Sequence, residues 1–338
     1  MDVVSDAISA VRTGRPASNR VRVGGSWCTR LAPYEGAGFH VVLAGGCWLL
    51  PDGGEPVALG PGDAVLLPHG TGHVIADSVA DAATVAGAVP FESWQRGREP
   101  GPPPVPAGRA GATEMLCGKY RFDRSRQHPL MAELPALVHL PHRVGGHPEL
   151  RSAIDLLGRE LDEGRPGSSI AVPSLLDLLL VYMIRSWMHE AGTAAAAASG
   201  TGPGPRPRPG TGTPSRTGTG SWVWPAVLGD PVVAAAVRAV HAEPAAPWTN
   251  DRLAAEAGVS RPTLARRFTA LVGRPPMAYL TWWRLTLAAG LLRDTPDPLA
   301  AIARRVGYGT PYALSHAFSR EFGTTPGRYR AAATAPGG

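Results

Sequence analysis

With 338 residues, 44% of them apolar and 18% charged, the chain has material for two folded domains and the composition of neither a disordered nor a fibrous protein. Three cysteines, Cys28, Cys47 and Cys117, exclude a disulfide framework; no uninterrupted run of 18 apolar residues and no signal-peptide core is present, so a cytoplasmic protein without a membrane partner is expected. The net charge of +6 lies wholly in the last third: residues 1–221 hold 20 Lys+Arg against 20 Asp+Glu and residues 222–338 hold 13 against 7, the footprint of a nucleic-acid binder.

In chain order, a short helix is expected over 3–11, followed by a region punctuated by glycine and proline and broken into β-prone runs at 39–50, 57–59, 64–67, 73–76, 84–89 and 114–120. Regular short strands separated by turns indicate a barrel or sandwich, interrupted by a proline-rich loop over 97–113. The period then changes. Leu150, Ile154, Leu157 and Leu161 recur at helical spacing, and 173–190 gives a second apolar helix through Leu175, Leu178, Leu179, Tyr182, Met183 and Trp187. These two helices either cover one face of the barrel or present an apolar stripe to a second copy, forming a homodimer. Residues 191–221 are low in complexity and almost without apolar side chains, so they cannot bury enough surface to offset the entropy of ordering and read as a flexible linker. The expected organisation is therefore multi-domain α+β. A barrel domain occupies 1–190, a linker 191–221, and an all-α domain 222–332.

A helix over 225–241 leads into the most informative stretch, in which two helix-turn-helix patterns repeat each other. Leu253-Ala254, Gly258, Leu264, Phe268, Gly273, Pro276 and Tyr279 have chemical counterparts in Ile302-Ala303, Gly307, Leu314, Phe318, Gly323, Pro326 and Tyr329. In the first unit Thr249 is a candidate cap for a helix to Ala257, and Ser260 for a second helix with Pro262 in its first turn. Leu264, Phe268 and Leu271 share the inward face of that helix, leaving Pro262, Arg266 and Thr269 outward with Arg261 and Ala265 beside them, the layout of a recognition helix. The second unit has Thr310 as cap, Pro311 in the first turn, and Leu314, Phe318 and Phe322 inward. Tyr312, Ser315, His316 and Ser319 face outward, and Arg320, Arg328 and Arg330 are candidate phosphate anchors. A single helix over 277–293 separates the units, long enough at about 25 Å to hold two readers in successive major grooves. A sequence-specific DNA reader follows; a non-specific basic DNA binder is the competing reading.

The segments LAAEAGVSRPTLARRFTALVGRPPMAYL and IARRVGYGTPYALSHAFSREFGTTPGRYR resemble the two subdomains of AraC-type (AraC/XylS) transcription regulators. The resemblance implies binding to double-stranded promoter DNA, usually to activate transcription, with RNA polymerase as a partner. It places base reading at Pro262, Ala265 and Arg266 and at Pro311, Tyr312, Ser315 and His316. Upstream, Gly62, Pro68, Gly70 and His73 fit the second cupin motif, G-x5-P-x-G-x2-H, and the region is similar to the cupin sensor domain of one AraC-type subgroup. Cupin enzymes hold a metal with two histidines and a glutamate from their first motif and one histidine from the second. Here His40 stands alone, because Val42 and Ala44 occupy the other two first-motif places. His40, His73, Cys28 and Cys117 form a candidate N2S2 set whose chemistry suits zinc, the one cofactor the sequence suggests. Cys28 and Cys117 are also candidate redox sensors, and a small organic effector in a metal-free barrel is the third reading. No catalytic residue is assigned. A cupin metalloenzyme with an accessory DNA-binding part is the alternative function, disfavoured by the missing carboxylate.

Overall fold

The computed structural model of the chain describes residues 3–92, 111–122, 128–144, 146–163, 165–199 and 223–334. It divides into two compact units, Val11–Trp187 on one hand and Met1–Ala10 with Met188–Gly338 on the other. The expected opening helix forms as α1 (Val3–Val11), and its first eight residues group with the second unit.

The first unit carries β1 (Arg12–Val23), β2 (Cys28–Leu31), β3 (Gly36–Ala44), β4 (Cys47–Pro51), β5 (Val57–Leu59), β6 (Ala64–Leu67), β7 (His73–Ala76), α2 (Ala82–Ala86), β8 (Val89–Pro90), β9 (Thr113–Phe122), α3 (Pro129–Ala132) and β10 (Val138–Leu140). The strands form two five-stranded sheets, in the orders β1-β9-β3-β6-β10 and β5-β4-β7-β2-β8. Val23, Val42, Val65, Leu67, Met115 and Cys117 from the first sheet meet Cys47, Leu49, Leu59 and Ile75 from the second in one buried core.

The run at 39–50 is two strands rather than one, because Gly45, at φ +72°, turns the chain from the first sheet into the second. A Cβ there would stand 2.3 Å from the Ala112 carbonyl oxygen, so only glycine fits. The run at 84–89 is not a strand. Asp81 accepts from the Thr84 N–H at 2.8 Å and caps α2, and only Val89–Pro90 beyond it pairs with β2. The sequence also hid β1, whose RTGRPASNRVRV lacks apolar alternation; it forms because β9 supplies a partner along its length, with a break in register between Thr13 and Ala17 that absorbs Gly14 and Pro16.

Two helices follow, α4 (Pro148–Glu163) and α5 (Ser168–Ser199). Arg20 of β1 donates to the Gly158 carbonyl of α4 at 3.0 Å and pairs with Glu114 and Asp162, while Arg22 bonds the same two carboxylates at 2.8 and 2.9 Å. By length and a mean hydropathy of 1.5 the stretch Ser168–Thr193 resembles a membrane span. In this fold Leu176, Leu179, Leu180, Met183 and Ile184 are fully buried, and the Leu176 carbonyl accepts the Tyr120 hydroxyl of β9, so one face of α5 packs against the barrel domain while 28% of its apolar window is buried in all. The helix runs on to Ser199, nine residues into the expected linker, where the alanine run favours helix. The remainder of that linker and most of the proline-rich loop lie outside the described residues.

The second unit continues with α6 (Val223–Gly229), α7 (Pro231–Ala242), α8 (Asn250–Glu256), α9 (Arg261–Val272), α10 (Pro276–Asp294), α11 (Leu299–Arg305), α12 (Pro311–Phe322) and α13 (Pro326–Thr334). The single helix expected over 225–241 is broken at Pro231, which has no N–H to continue α6. Asp230 restarts the helix by accepting from the N–H groups of Val232 and Val233 at 3.0 and 3.1 Å. Its other oxygen receives Arg267 of α9 at 2.5 and 3.1 Å, so one carboxylate both caps α7 and holds the recognition helix against it. Inside this unit His241 of α7 donates through Nδ1 to the Asp6 carboxylate of α1 at 2.8 Å, lies 2.8 Å from the Tyr279 hydroxyl, and stacks on Trp283 with centroids 4.2 Å apart.

Burial raises the Asp230 carboxyl, but the Val233 amide, Arg267 and the Val232 amide together outweigh it and hold the group below its ordinary value. Its contribution is therefore complete at neutral pH and fades as pH falls through the folded value. Asp230→Ala should lower the stability of this unit by about 1 to 2 kcal/mol in urea unfolding at pH 7, with the deficit shrinking as the pH is lowered below the carboxylate range.

Candidate nucleic-acid interface and barrel pocket

Each reader is held by its own small core. In the first, Leu253 and Ala254 of α8 and Leu264 and Phe268 of α9 are buried, and the Phe268 ring meets Tyr279 of α10 edge-on at 5.6 Å. In the second, Ile302, Ala303, Val306, Leu314 and Phe318 close on Leu285, Ala288, Ala289 and Leu292 of α10. The turn of the second unit depends on Gly307, at φ +85°, where a Cβ would stand 2.8 Å from Ala245. Caps form where expected at Thr249, which accepts from Arg252, and at Thr310, which accepts from Ala313, both at 3.1 Å. Ser260 departs from expectation: its hydroxyl pairs with that of Thr263 at 2.9 Å and caps no amide.

With Leu264 and Phe268 turned inward, Arg261, Pro262, Arg266 and Thr269 lie exposed on α9 and Ala265 half-buried beside them. On α12, Pro311, Tyr312, His316 and Arg320 are exposed and Ser315 half-buried. Tyr312 is 80% exposed, an unusual state for a large aromatic side chain with no partner surface within its own unit. Arg328 is also exposed, but Arg330 is committed elsewhere: it donates to the carbonyls of Leu292 and Asp297 at 3.2 and 2.5 Å and ties the last helix to the end of α10. Arg284, midway along α10, ties that helix to the loop between α7 and α8 by bonding the carbonyls of Pro244 and Ala246. The helix α10 spans 19 residues, two more than expected, or about 28 Å.

In the barrel, three of the four candidate metal ligands come together and the fourth does not. His40 of β3 stands opposite Cys117 of β9 in the sheet register, with Nδ1 3.1 Å from Sγ, and its Nε2 lies 2.8 Å from His73 Nε2 on the facing sheet. His73 Nδ1 is 2.9 Å from the Thr71 carbonyl oxygen. A carbonyl only accepts, so His73 carries its proton on Nδ1 and offers Nε2 as acceptor; His40 then donates from Nε2, and its Nδ1 accepts the Cys117 S–H. Burial, with the neighbouring His73, holds His40 well below its ordinary value; burial also lowers His73, against the Thr71 hydrogen bond and Asp52, and pushes the Cys117 thiol up, so all three groups are neutral at pH 7. Cys28 pairs with Ala76, three residues along β2 from the Leu31 that faces His73, hence about 10 Å away and on the opposite side of the strand. Its thiol sits 3.8 Å from the Thr84 carbonyl.

The expected zinc set is therefore not assembled, and every ring nitrogen of the histidine pair already has a partner. Among the described residues no group of three or more His, Cys, Asp or Glu side chains is arranged to hold a metal ion. A cupin metal does not fit these residues. Burial also raises the thiols of Cys28 and Cys47, the latter to about 12, so the electropositive surroundings expected of a redox-sensing thiolate are not found at any of the three cysteines.

Beside this chain of hydrogen bonds opens a cavity of about 310 Å³, lined by Ala17, Ser18 and Asn19 of β1, Leu31 to Tyr34, Gly38, His40, His73, Phe91, Glu92 and Cys117 to Lys119. Sequence reasoning had no means to assemble it, since β1 was not recognised as a strand. The one available signal was Lys119, the sole lysine in the chain. Tyr34 and Lys119 also line a second cavity of about 330 Å³, with Thr13, Glu35, Arg121 and Phe122.

A barrel with a pocket, carried on the same chain as two helix-turn-helix units with exposed polar faces, fits the class of DNA-binding transcription regulators that carry a separate barrel domain. Residues 2–189 match the family described as Cupin, and residues 253–332 the family described as Helix-turn-helix domain. The chain is 32% identical to a putative AraC-like transcription regulator of Streptomyces antibioticus, covering 98% of both proteins, and 33% identical to one of Streptomyces lividans, covering 99% of this chain and 100% of that protein. It is 26% identical to an Escherichia coli protein named as an RCS-specific HTH-type transcriptional activator, over 86% of this chain and 83% of the relative. The chain belongs to the AraC-like transcription regulators, in the group whose N-terminal domain is a cupin.

Replacing His73 by Ala leaves the buried His40 Nε2–H without an acceptor and opens a void, a combined cost of about 2 to 4 kcal/mol. Urea unfolding of the full chain should show that loss, and one equivalent of zinc should leave the wild-type midpoint unmoved.

Proposed function

We propose that the protein activates transcription by binding a specific promoter sequence as a homodimer, under the control of a small molecule held in its cupin barrel. The observation that carries the DNA-reading part is the pair of recognition helices, each fixed to α10 by an inward Leu and Phe and each presenting a polar outer face. Arg266 is the principal base reader of the first helix, with Arg261 and Thr269 at the flanking phosphates and Pro262 and Ala265 in apolar contact with the groove. On the second helix Tyr312, Ser315 and His316 read, Pro311 packs, and Arg320 meets the backbone. Activation is supported by the activator name of the Escherichia coli relative, and makes RNA polymerase a partner. Dimerisation is supported by exposed apolar side chains on the two barrel helices, Leu156, Ile170 and Leu178, which are 46%, 74% and 45% exposed. A DNA target places the work in the cytoplasm.

Selection of genomic fragments by the purified full-length protein tests this reading: one recurrent motif retained at physiological salt is expected, and equal retention of all sequences with a steep salt slope would overturn it. Arg266→Ala should cost about 1 to 3 kcal/mol at one base position and leave the others discriminated. Tyr312→Ala should relax preference in the other half of the same motif, and uniform weakening across sequences would assign either side chain to phosphate alone.

A further inference from the structure

We propose that the cavity beside Ser18, Tyr34 and Lys119 binds a small, largely apolar organic carboxylate, with its anionic end at those three side chains and its body among Leu31, Pro33 and Phe91. This rests on the regulator reading above and gives the chemistry of the effector.

The cavity volume, about 310 Å³, lies at the lower edge of the range of about 300 to 1,000 Å³ typical of small-molecule sites, which suits a metabolite-sized ligand. Its inner wall takes no polar group. Cys117, His40 and His73 form a closed run of hydrogen bonds ending on the Thr71 carbonyl, so each proton and ring lone pair there is already committed. A ligand must therefore enter with its apolar end first.

The outer part is donor-rich. The Ser18 and Tyr34 hydroxyl oxygens are both buried, and neither has a hydrogen-bond partner among the described residues. Buried polar groups in native proteins are nearly always satisfied, so two orphaned hydroxyls on residues that line one cavity point to a partner that reaches them there. Burial pushes the Tyr34 phenol up, so it remains a donor at neutral pH. Lys119 lies with its Nζ 5.8 Å from the centroid of the Tyr34 ring and brings three more N–H donors to the same place. A carboxylate accepts only, and it is the group that satisfies two hydroxyls and an ammonium together. An amine would face Lys119 with like charge. A doubly charged phosphate ester would be undercompensated, because Glu92 shares the rim and Glu35 offsets Arg121 in the adjoining cavity.

The test uses the full-length protein and a matched panel of ring-containing carboxylates, from cyclohexylacetate to naphthylacetate, with the carboxamide and the amine of each body. Binding is read by calorimetry and by protection of Lys119, the chain's only lysine, from an amine-acylating reagent followed by mass spectrometry. Saturable binding of at least one carboxylate is expected, with its amide and amine about tenfold weaker or more, and Lys119→Met reducing carboxylate affinity by about the same factor. Gly38→Val should abolish binding, since a Cβ at that position would stand 3.0 Å from the Tyr34 hydroxyl; Lys119→Met, on an exposed side chain, keeps the test decisive if Gly38→Val fails to fold. Equal binding of amides or amines, an unaffected Lys119→Met protein, or no binding by any carboxylate would overturn the proposal. Fragment selection on the same wild-type preparation separates the two failures: a preferred DNA site without carboxylate binding rejects the pocket ligand alone, and the absence of a preferred site rejects the regulator reading.

Discussion

The arrangement of the C-terminal unit depends on one helix, α10, being buried on both of its working faces. Near its start Tyr279 meets Phe268 of the first reader and Trp283 stacks on His241 of α7, and Leu285, Ala288, Ala289 and Leu292 serve the second reader. Because the same rigid element closes both cores, neither recognition helix can tilt without unpacking aromatic or aliphatic side chains that are fully enclosed. Two arginines reinforce this. Arg284, in the middle of α10, donates to carbonyls of the loop between α7 and α8, and Arg330 of α13 donates to the Leu292 and Asp297 carbonyls at the C-terminal end of α10 and just beyond it. Arginine in this domain thus has two distinct settings: Arg284 and Arg330 are bonded to main-chain carbonyls, while Arg261, Arg266, Arg320 and Arg328 are exposed.

That division explains what the sequence could and could not reveal. The tandem pattern was legible because a helix-turn-helix is a local structure: its inward Leu and Phe, its turn glycine and its cap lie within a dozen or so residues of one another. The barrel is a non-local structure. Its strands pair across 77 residues at His40 and Cys117, and β1 owes its existence to β9 rather than to any alternation of its own. The helix over Ala82–Ala86 turned on a single Asp81 cap that outweighed the β-prone Thr84 and Val85. Arg330 was misread for a related reason, since nothing local in a C-terminal arginine distinguishes a phosphate anchor from a donor to buried carbonyls 33 and 38 positions away.

The histidine pair is the instructive case at the site. Motif spacing correctly brought His40 and His73 into one place, and the register added Cys117, so the ingredients of a metal centre were identified from sequence and are adjacent in the fold. What spacing does not encode is the direction of the protons. Once the Thr71 carbonyl fixes the tautomer of His73, the run of hydrogen bonds has a single consistent orientation that uses every ring nitrogen. With first-motif ligand places filled by Val42 and Ala44, a cupin scaffold here has exchanged a metal cage for a neutral, fully satisfied polar bridge between its two sheets.

Residues of that bridge line the cavity together with Ala17 to Asn19 of β1, the strand that pairs Asn19 with Cys117 of β9. The strand is continuous with α1: the chain leaves the helix at Val11 and enters the strand at Arg12 with no intervening loop. Upstream on that helix, Asp6 accepts the proton of His241, which in turn contacts Tyr279 and stacks on Trp283, two of the residues by which α10 holds the first reader. The chain thus crosses from the second unit to the first between Ala10 and Val11, at the end of α1 and directly before β1.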